Sequence, residues 1–393
     1  MPELLETLET IQANEASVQR LFSREEDGRS VRSLRRSDDP RYIQSLAEAA
    51  TFLREVMEGR RPAYHLQEAL TTSDFPVLFA DILDRQLLAD YQQVPSQWRT
   101  YARAGSVRDF RQVKRFAVDG GLALLDDVAE RTEYPEETLP DASAFTYSVT
   151  KKGKRFQLTW ETIINDDLGV MQRLPRNLAV SARNSEEHFA TSLFATSSGP
   201  NSTFFTSGHA NVVTGNPALS VSALTTAFTV LASQKDTDGN PILVDVAVLM
   251  VPPALEVTAQ NIINATEILA ATGGGNLSNN DALRVANWMR NKVSLVVNPW
   301  LPIIDTTHGS TAWYLLQAPG GMGRPISEIG FLRGYEAPQL FMKDPDAVRV
   351  GGGSVSPLDG DFDTDSVQYK VRHVFGGTLL DPKSAVASNG SGS

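Results

Sequence analysis

The side chains able to do covalent or metal chemistry are few and scattered along this chain. Histidine occurs five times, at His65, His188, His209, His308 and His373, with no HxxxH or HExxH spacing. No pair therefore shares one face of a helix as a zinc site requires. Cysteine is absent, which removes disulfides, thiolate nucleophiles and Cys-based zinc or iron centres. There is no GxSxG elbow to present a serine nucleophile. The glycine runs at 273–275, 319–323 and 351–353 lack the GK[ST] of a phosphate loop, do not open helices after strands, and read as loops. Asp236–Asn240 (DTDGN) starts like a calcium loop, but its glycine comes too early and Ala247 stands where the twelfth position needs Glu. It reads as a β-turn. No catalytic, cofactor-binding or metal-binding residue is expected.

What remains is charge. An acidic, proline-containing stretch at 126–143 carries Glu130, Glu133, Glu136 and Glu137. On either side of it in sequence lie Arg108, Arg111, Lys114 and Arg115, then Lys151, Lys152, Lys154 and Arg155. A cation site or a merely solvated surface is one reading of the acids. The other is that acidic tip and basic base meet between neighbouring subunits. Such pairs are individually weak, but repeated around a symmetric assembly they fix register.

The elements around these charges follow from periodicity. Residues 1–72 are charged and helix-prone, with narrow apolar faces near 4–21 and 43–57 and an Arg-rich linker between them. Ser73–Trp98 predicts a helix with Pro76 in its first turn and Pro95 at its end. From 107 to 160 the pattern alternates, and 144–160 reads as a hairpin turning at Gly153. Asn165–Ser198 is the longest amphipathic run, with Asp166 and Asp167 placed to complement the helix dipole and Pro175 interrupting it. Between about 219 and 335, helices at 221–231 and 253–269 alternate with apolar strands at 244–251, 293–297 and 312–317, the pattern of an α+β domain. Residues 367–375 alternate as a strand, and the chain then tails off into a flexible terminus.

At 393 residues the chain is long enough for two or three domains with real cores. A formal net charge of −11 argues against a protein whose main task is to grip nucleic acid. No apolar run is long enough to span a bilayer, and the acidic start lacks the basic n-region of a secretory signal.

Taken in order, these pieces resemble the major capsid proteins of tailed double-stranded DNA bacteriophages. The resemblance covers about 73–385 and rests on the order of TSDFPVLFADILDRQLLADY, an extended arm, LTWETIINDDLG opening a long helix, SGHANVVTGNPALS, KDTDGNPI, VAVLMVPPALEVTAQNII, EIGFLRGYEAPQLF and VQYKVRHVFGG. It implies an α+β capsid fold: a peripheral domain with a long spine helix and sheet, an axial domain, an extended β-hairpin loop and an N-terminal arm. On this sequence the expected divisions are a charged, scaffold-like or arm-extending region at 1–72, an arm helix at 73–106 and an extended loop at 107–162. The peripheral domain with its spine follows at 163–218, the axial domain at 219–337, return strands at 338–385 and a flexible tail at 386–393. The resemblance further implies a homo-oligomer of hexamers and pentamers that forms an icosahedral head around DNA. It implies assembly in the host bacterial cytoplasm and location in the virion, with scaffolding, portal and decoration proteins as possible partners and no membrane. Some relatives join Lys to Asn covalently; Lys151, Lys152 and Lys154 are the candidates here, with no matching Asn or carboxylate identified. The alternatives are an encapsulin-type nanocompartment shell and a soluble α+β enzyme.

Overall fold

The computed structural model describes residues 75–117, 143–159, 168–235, 239–242, 247–270, 283–319, 325–343 and 361–392, with isolated positions at 48, 49, 51, 52, 55, 60, 128, 130, 131 and 350. The helices expected within 1–72, most of the acidic stretch and the helix-opening Asn165, Asp166 and Asp167 lie outside the described residues.

Helix α1 (Phe75–Gln93) carries Pro76 where a missing N–H costs nothing and stops ahead of Pro95. A 3-10 turn at Trp98–Thr100 leads to β1 (Arg103–Val107), then β2 (Val113–Ala117), β3 (Ser143–Tyr147) and β4 (Thr150–Thr159). Helix α2 (Leu168–Phe194) continues through a buried Pro175 and ends in the small hairpin β5 (Ala195–Thr196) and β6 (Gly199–Pro200). Helix α3 (Val221–Ala232) is capped by Ser220, whose hydroxyl accepts from the Ala223 N–H at 3.1 Å. Strand β7 (Ala247–Val251) and helix α4 (Glu256–Asn264) follow. Next come β8 (Glu267–Ala270), β9 (Leu283–Ala286), β10 (Val293–Val297), the short α5 (Leu301–Ile304) and β11 (Trp313–Gln317). The last strands are β12 (Ser327–Leu332), β13 (Gln339–Met342), β14 (Ser366–Leu379) and β15 (Ala385–Ser388). The mixed α+β class is the expected one.

The chain forms two compact units. One contains α1, Lys151–Arg183 and Tyr335–Val374; the other contains Ser96–Thr150, Asn184–Gly334 and Phe375–Ser393. In the first, Leu87 and Tyr91 of α1 and Ala179 and Ala182 of α2 form a small core with Leu340 of β13 packed against it. Strand β14 pairs with β13 and with β4 there.

The second unit is built on a four-stranded sheet of order β10-β7-β11-β15, with β10 parallel to β7 and the other pairs antiparallel. Every residue of β7, β11 and β15 is buried, so both sheet faces must be covered. Alternation divides the work. Val248, Met250, Tyr314, Leu316, Ala385 and Ala387 meet Trp98, Tyr101, Ala190 and Phe194 on one face. Leu249, Val251, Trp313, Leu315 and Val386 meet Leu224, Ala227 and Leu231 of α3 and Ala259 and Ile263 of α4 on the other.

Four expectations are corrected. The arm helix expected over 73–106 ends at Gln93, and Arg103–Val107 is extended and pairs with β12. Gly153 is not a turn: β4 runs straight through it, a Cβ there would strike the Val371 carbonyl, and β3 pairs with β2 instead. The helix begun at Pro253 ends at Asn264 rather than near Leu269, because Glu267–Ala270 turns extended to pair with β9. The stretch after 375 is not a flexible tail. Strand β14 continues to Leu379, and β15 joins the central sheet opposite β11. Beyond it, Asn389 accepts from Thr311 at 2.8 Å and Gly392 donates to Asn216 at 2.8 Å. Only four residues long and rich in Ala and Ser, β15 carries too little apolar pattern to announce itself. Deleting 385–393 should abolish cooperative melting by circular dichroism, since Val386 belongs to the core on one sheet face and Ala385 and Ala387 to the core on the other; an unchanged melting curve is the contrary result.

Candidate assembly arm and the network at its root

The arm is the antiparallel pair β2–β3, in register Val113 with Tyr147 and Arg115 with Phe145. Among the described residues these strands pair only with each other. Thr146 and Lys114 are exposed, and Phe110 just before β2 is 50% exposed.

The root of this arm is a buried charge network. Strand β1 runs parallel to β12 with Gly105 directly opposite Gly330. Neither position tolerates a side chain: a Cβ at Gly105 would meet the Glu328 carboxylate, and one at Gly330 would meet the Tyr147 ring. Two opposed glycines therefore make a slot on the sheet, which Glu328 and Tyr147 fill. Glu328 is 2% exposed. Its Oε1 accepts from Arg115 Nε at 2.7 Å and from Tyr147 OH at 2.5 Å. Arg115 also donates to the Ser106 carbonyl at 3.4 Å. Burial opposes the Arg115 charge, but the hydrogen bond and field of Glu328 outweigh it and raise its pKa. Burial, then the hydrogen bond to Glu328, pushes the Tyr147 phenol well above its usual range.

Helix α2 supplies a second anchor. Glu187 accepts from the N–H groups of Gln97 at 2.6 Å and Trp98 at 3.1 Å, and Glu186 accepts from Trp98 Nε1 at 3.0 Å. These carboxylates hold the turn that launches β1, with Trp98 fully buried beside Phe331.

The basic residues expected at subunit contacts divide accordingly. Arg115 is committed to Glu328 of its own chain, because a buried carboxylate without a cation is costly. Arg108, Arg111, Lys114, Lys151 and Lys154 are exposed, with Arg111 3.9 Å from Asp109. Lys152 is half-buried, and that burial lowers its pKa. Glu130 is exposed; Glu133, Glu136 and Glu137 lie outside the described residues. Sequence reasoning missed Glu328, Tyr147 and the glycine pair. The only signal was a lone acid inside the buried run SEIGFL, whose partners lie 181 and 213 residues away. Among the described residues no group of three or more His, Asp or Glu is placed to hold a metal ion, and no helix is long and apolar enough to cross a membrane.

The family described as "Phage capsid protein" matches residues 143–388, more than half of the chain. None of the curated proteins compared gives a significant match. Similar solved structures include the holo-SrpI encapsulin complex from Synechococcus elongatus PCC 7942, 11% identical over 76% of this chain and 89% of that one, with a TM-score of 0.44. Another is Gordonia phage Cozz, 12% identical over 73% and 83%, with a TM-score of 0.40. A third is Mycobacterium phage Patience, 10% identical over 81% and 89%, with a TM-score of 0.42.

The root network has measurable consequences. Arg115→Met strands the Glu328 carboxylate and should cost about 3 kcal/mol in chemical denaturation, the low end for a broken buried pair because Arg115 is partly solvated; a loss under about 1 kcal/mol would remove the network from the fold's supports. Tyr147 links stability to alkaline pH. Its phenol titrates near 10 when unfolded and higher when folded, so the unfolded state releases its proton first and stability falls as pH rises past about 10. Tyr147→Phe should flatten that part of the stability–pH curve; an unchanged slope is the contrary result.

Proposed function

Since the chain belongs to the phage capsid protein family, we propose that its copies form hexamers and pentamers that close into an icosahedral head around packaged double-stranded DNA. It is a structural shell protein of the virion capsid and not an enzyme. The arm carries the oligomeric part of the reading. Two strands that pair only with each other among the described residues are marginal in water, and a neighbouring subunit supplies the surface they lack. In this reading 107–162 is the extended loop, 219–337 the axial domain, and the segments around α2 and β14 the peripheral domain. Residues 1–72 serve as a scaffold-like or arm-extending region, and assembly takes place in the host bacterial cytoplasm with scaffolding, portal and decoration proteins as candidate partners.

Contacts between copies then pair the acidic tip (Glu130, Glu133, Glu136, Glu137) with the exposed cations Arg108, Arg111, Lys114, Lys151 and Lys154 and with the half-buried Lys152. An acidic shell suits a container that confines DNA without adhering to it.

Expression of the full chain followed by negative-stain imaging and light scattering tests the shell. Shells, tubes or capsomer rings support it, and a compact monomer or dimer under all conditions removes it. Particles that enclose enzymes rather than nuclease-protected DNA would instead favour a nanocompartment. Glu136→Lys with Glu137→Lys should slow or misdirect assembly; unchanged particle yield and shape would sink the pairing.

A further inference from the structure

We propose that Asn389 is a self-modification site, converted through a cyclic imide to aspartyl and isoaspartyl forms, and that docking of the segment 385–392 holds the reaction off. The inference does not depend on the shell reading above.

The chain contains one Asn–Gly step, Asn389–Gly390, and each of its other asparagines precedes a residue with a side chain. Glycine favours the reaction because nothing on its Cα obstructs the neighbouring nitrogen. The chemistry needs only water. Hydroxide removes the Gly390 amide proton, and the nitrogen attacks Cγ of Asn389. The new N–Cγ bond closes a succinimide as the bond from Cγ to the side-chain nitrogen breaks, and ammonia leaves with a proton taken from water. A second water opens the ring at either carbonyl, giving aspartate or isoaspartate. Nothing is oxidised or reduced.

In the folded chain the groups that must move are held. Ser388 is 1% exposed and donates its hydroxyl to the Pro217 carbonyl at 2.8 Å, which leaves its oxygen to accept from the Gly390 N–H at 3.1 Å. The proton that hydroxide must take is therefore already engaged. The Asn389 carbonyl accepts from the Thr311 hydroxyl at 2.8 Å, and the Asn389 N–H donates to Asn216 Oδ1 at 3.4 Å. Its own Oδ1 accepts from the Ser391 N–H at 2.9 Å, which fixes the side-chain rotamer. Gly390 has a φ of +70°, and a Cβ there would strike the Thr311 carbonyl, so its backbone lies against Thr311 without slack. Ring closure has to turn the Asn389 backbone and side chain together, which gives up the Ser388, Thr311 and Ser391 bonds at once. Each bond is modest, but the three are lost in one step.

The product does not fit where the asparagine did. Isoaspartate lengthens the main chain by one atom, between Ser388, paired opposite Trp313, and Gly392, whose N–H donates to the Asn216 carbonyl at 2.8 Å. Conversion thus leaves a covalent record of time spent undocked.

The test is mass spectrometry of the tryptic peptide 384–393 from the full chain aged in mildly alkaline buffer, beside the same chain aged in guanidinium. Loss of Asn389 should be about tenfold or more slower in the folded chain. Ser388→Ala and Thr311→Val should each speed it about threefold or more in buffer and leave the rate in guanidinium unchanged, because the hold lies in the fold. Thr306→Val removes a hydroxyl that bonds the Ser197 carbonyl instead, and should change neither rate by more than about twofold. Equal rates in buffer and guanidinium overturn the inference, and this comparison stands even where a variant lowers the melting temperature. Rates unaltered in both Ser388→Ala and Thr311→Val, with melting unchanged, overturn it as well. In aged folded samples carboxypeptidase should trim modified chains ahead of unmodified ones; equal trimming removes the loss of docking.

Discussion

A strand buried on both faces is the constraint from which the second unit follows. All five residues of β7 are buried, so neither face can be left to water and each needs its own layer. Those layers come from distant parts of the chain: α3 and α4 on one side, the end of α2 and the Trp98 turn on the other. The sheet also needs neighbours on its edges, which is why β10 and β11 frame β7 and β15 extends β11. Backbone groups buried this deeply leave no alternative to pairing, because an unpaired N–H or C=O costs as much as a lost hydrogen bond.

The arm root obeys a different rule. Here a carboxylate sits in the interior, and three separate requirements converge to make that tolerable: a guanidinium at 2.7 Å, a phenol, and empty space above two glycines. Removal of one partner hurts more than the pair gains over an apolar substitute, so the network contributes definition more than stability. It fixes Arg115 of β2 and Tyr147 of β3 against Glu328 of β12.

Sequence reading recovered what local pattern encodes. The 3.6-residue spacing of Leu174, Leu178 and Ala182 located α2, the run AVLMV located β7, and the prolines bracketing α1 set its ends to within a few residues. It failed where pairing is decided at long range. Gly153 looked like a turn because glycine usually marks one, whereas here it makes room for the backbone of β14. Ala385–Ser388 looked like a tail because its burial depends on partners far off in the chain, β11 and the 211–213 segment. The charged positions of the arm were legible as types, but not their division into Arg115, turned inward, and the rest, turned outward.

The position of β15 also bears on time. Its partner β11 is some seventy residues away, and β7 and α3 lie further still, so the last edge of this sheet closes only after long loops have been gathered in. Contacts of such separation fold slowly, and until they form the edge of β11 offers open hydrogen-bonding groups to any passing strand. The chain therefore passes through an interval in which it is most prone to mispair with its own kind. The short, alanine- and serine-rich β15 ends that interval by occupying the edge itself.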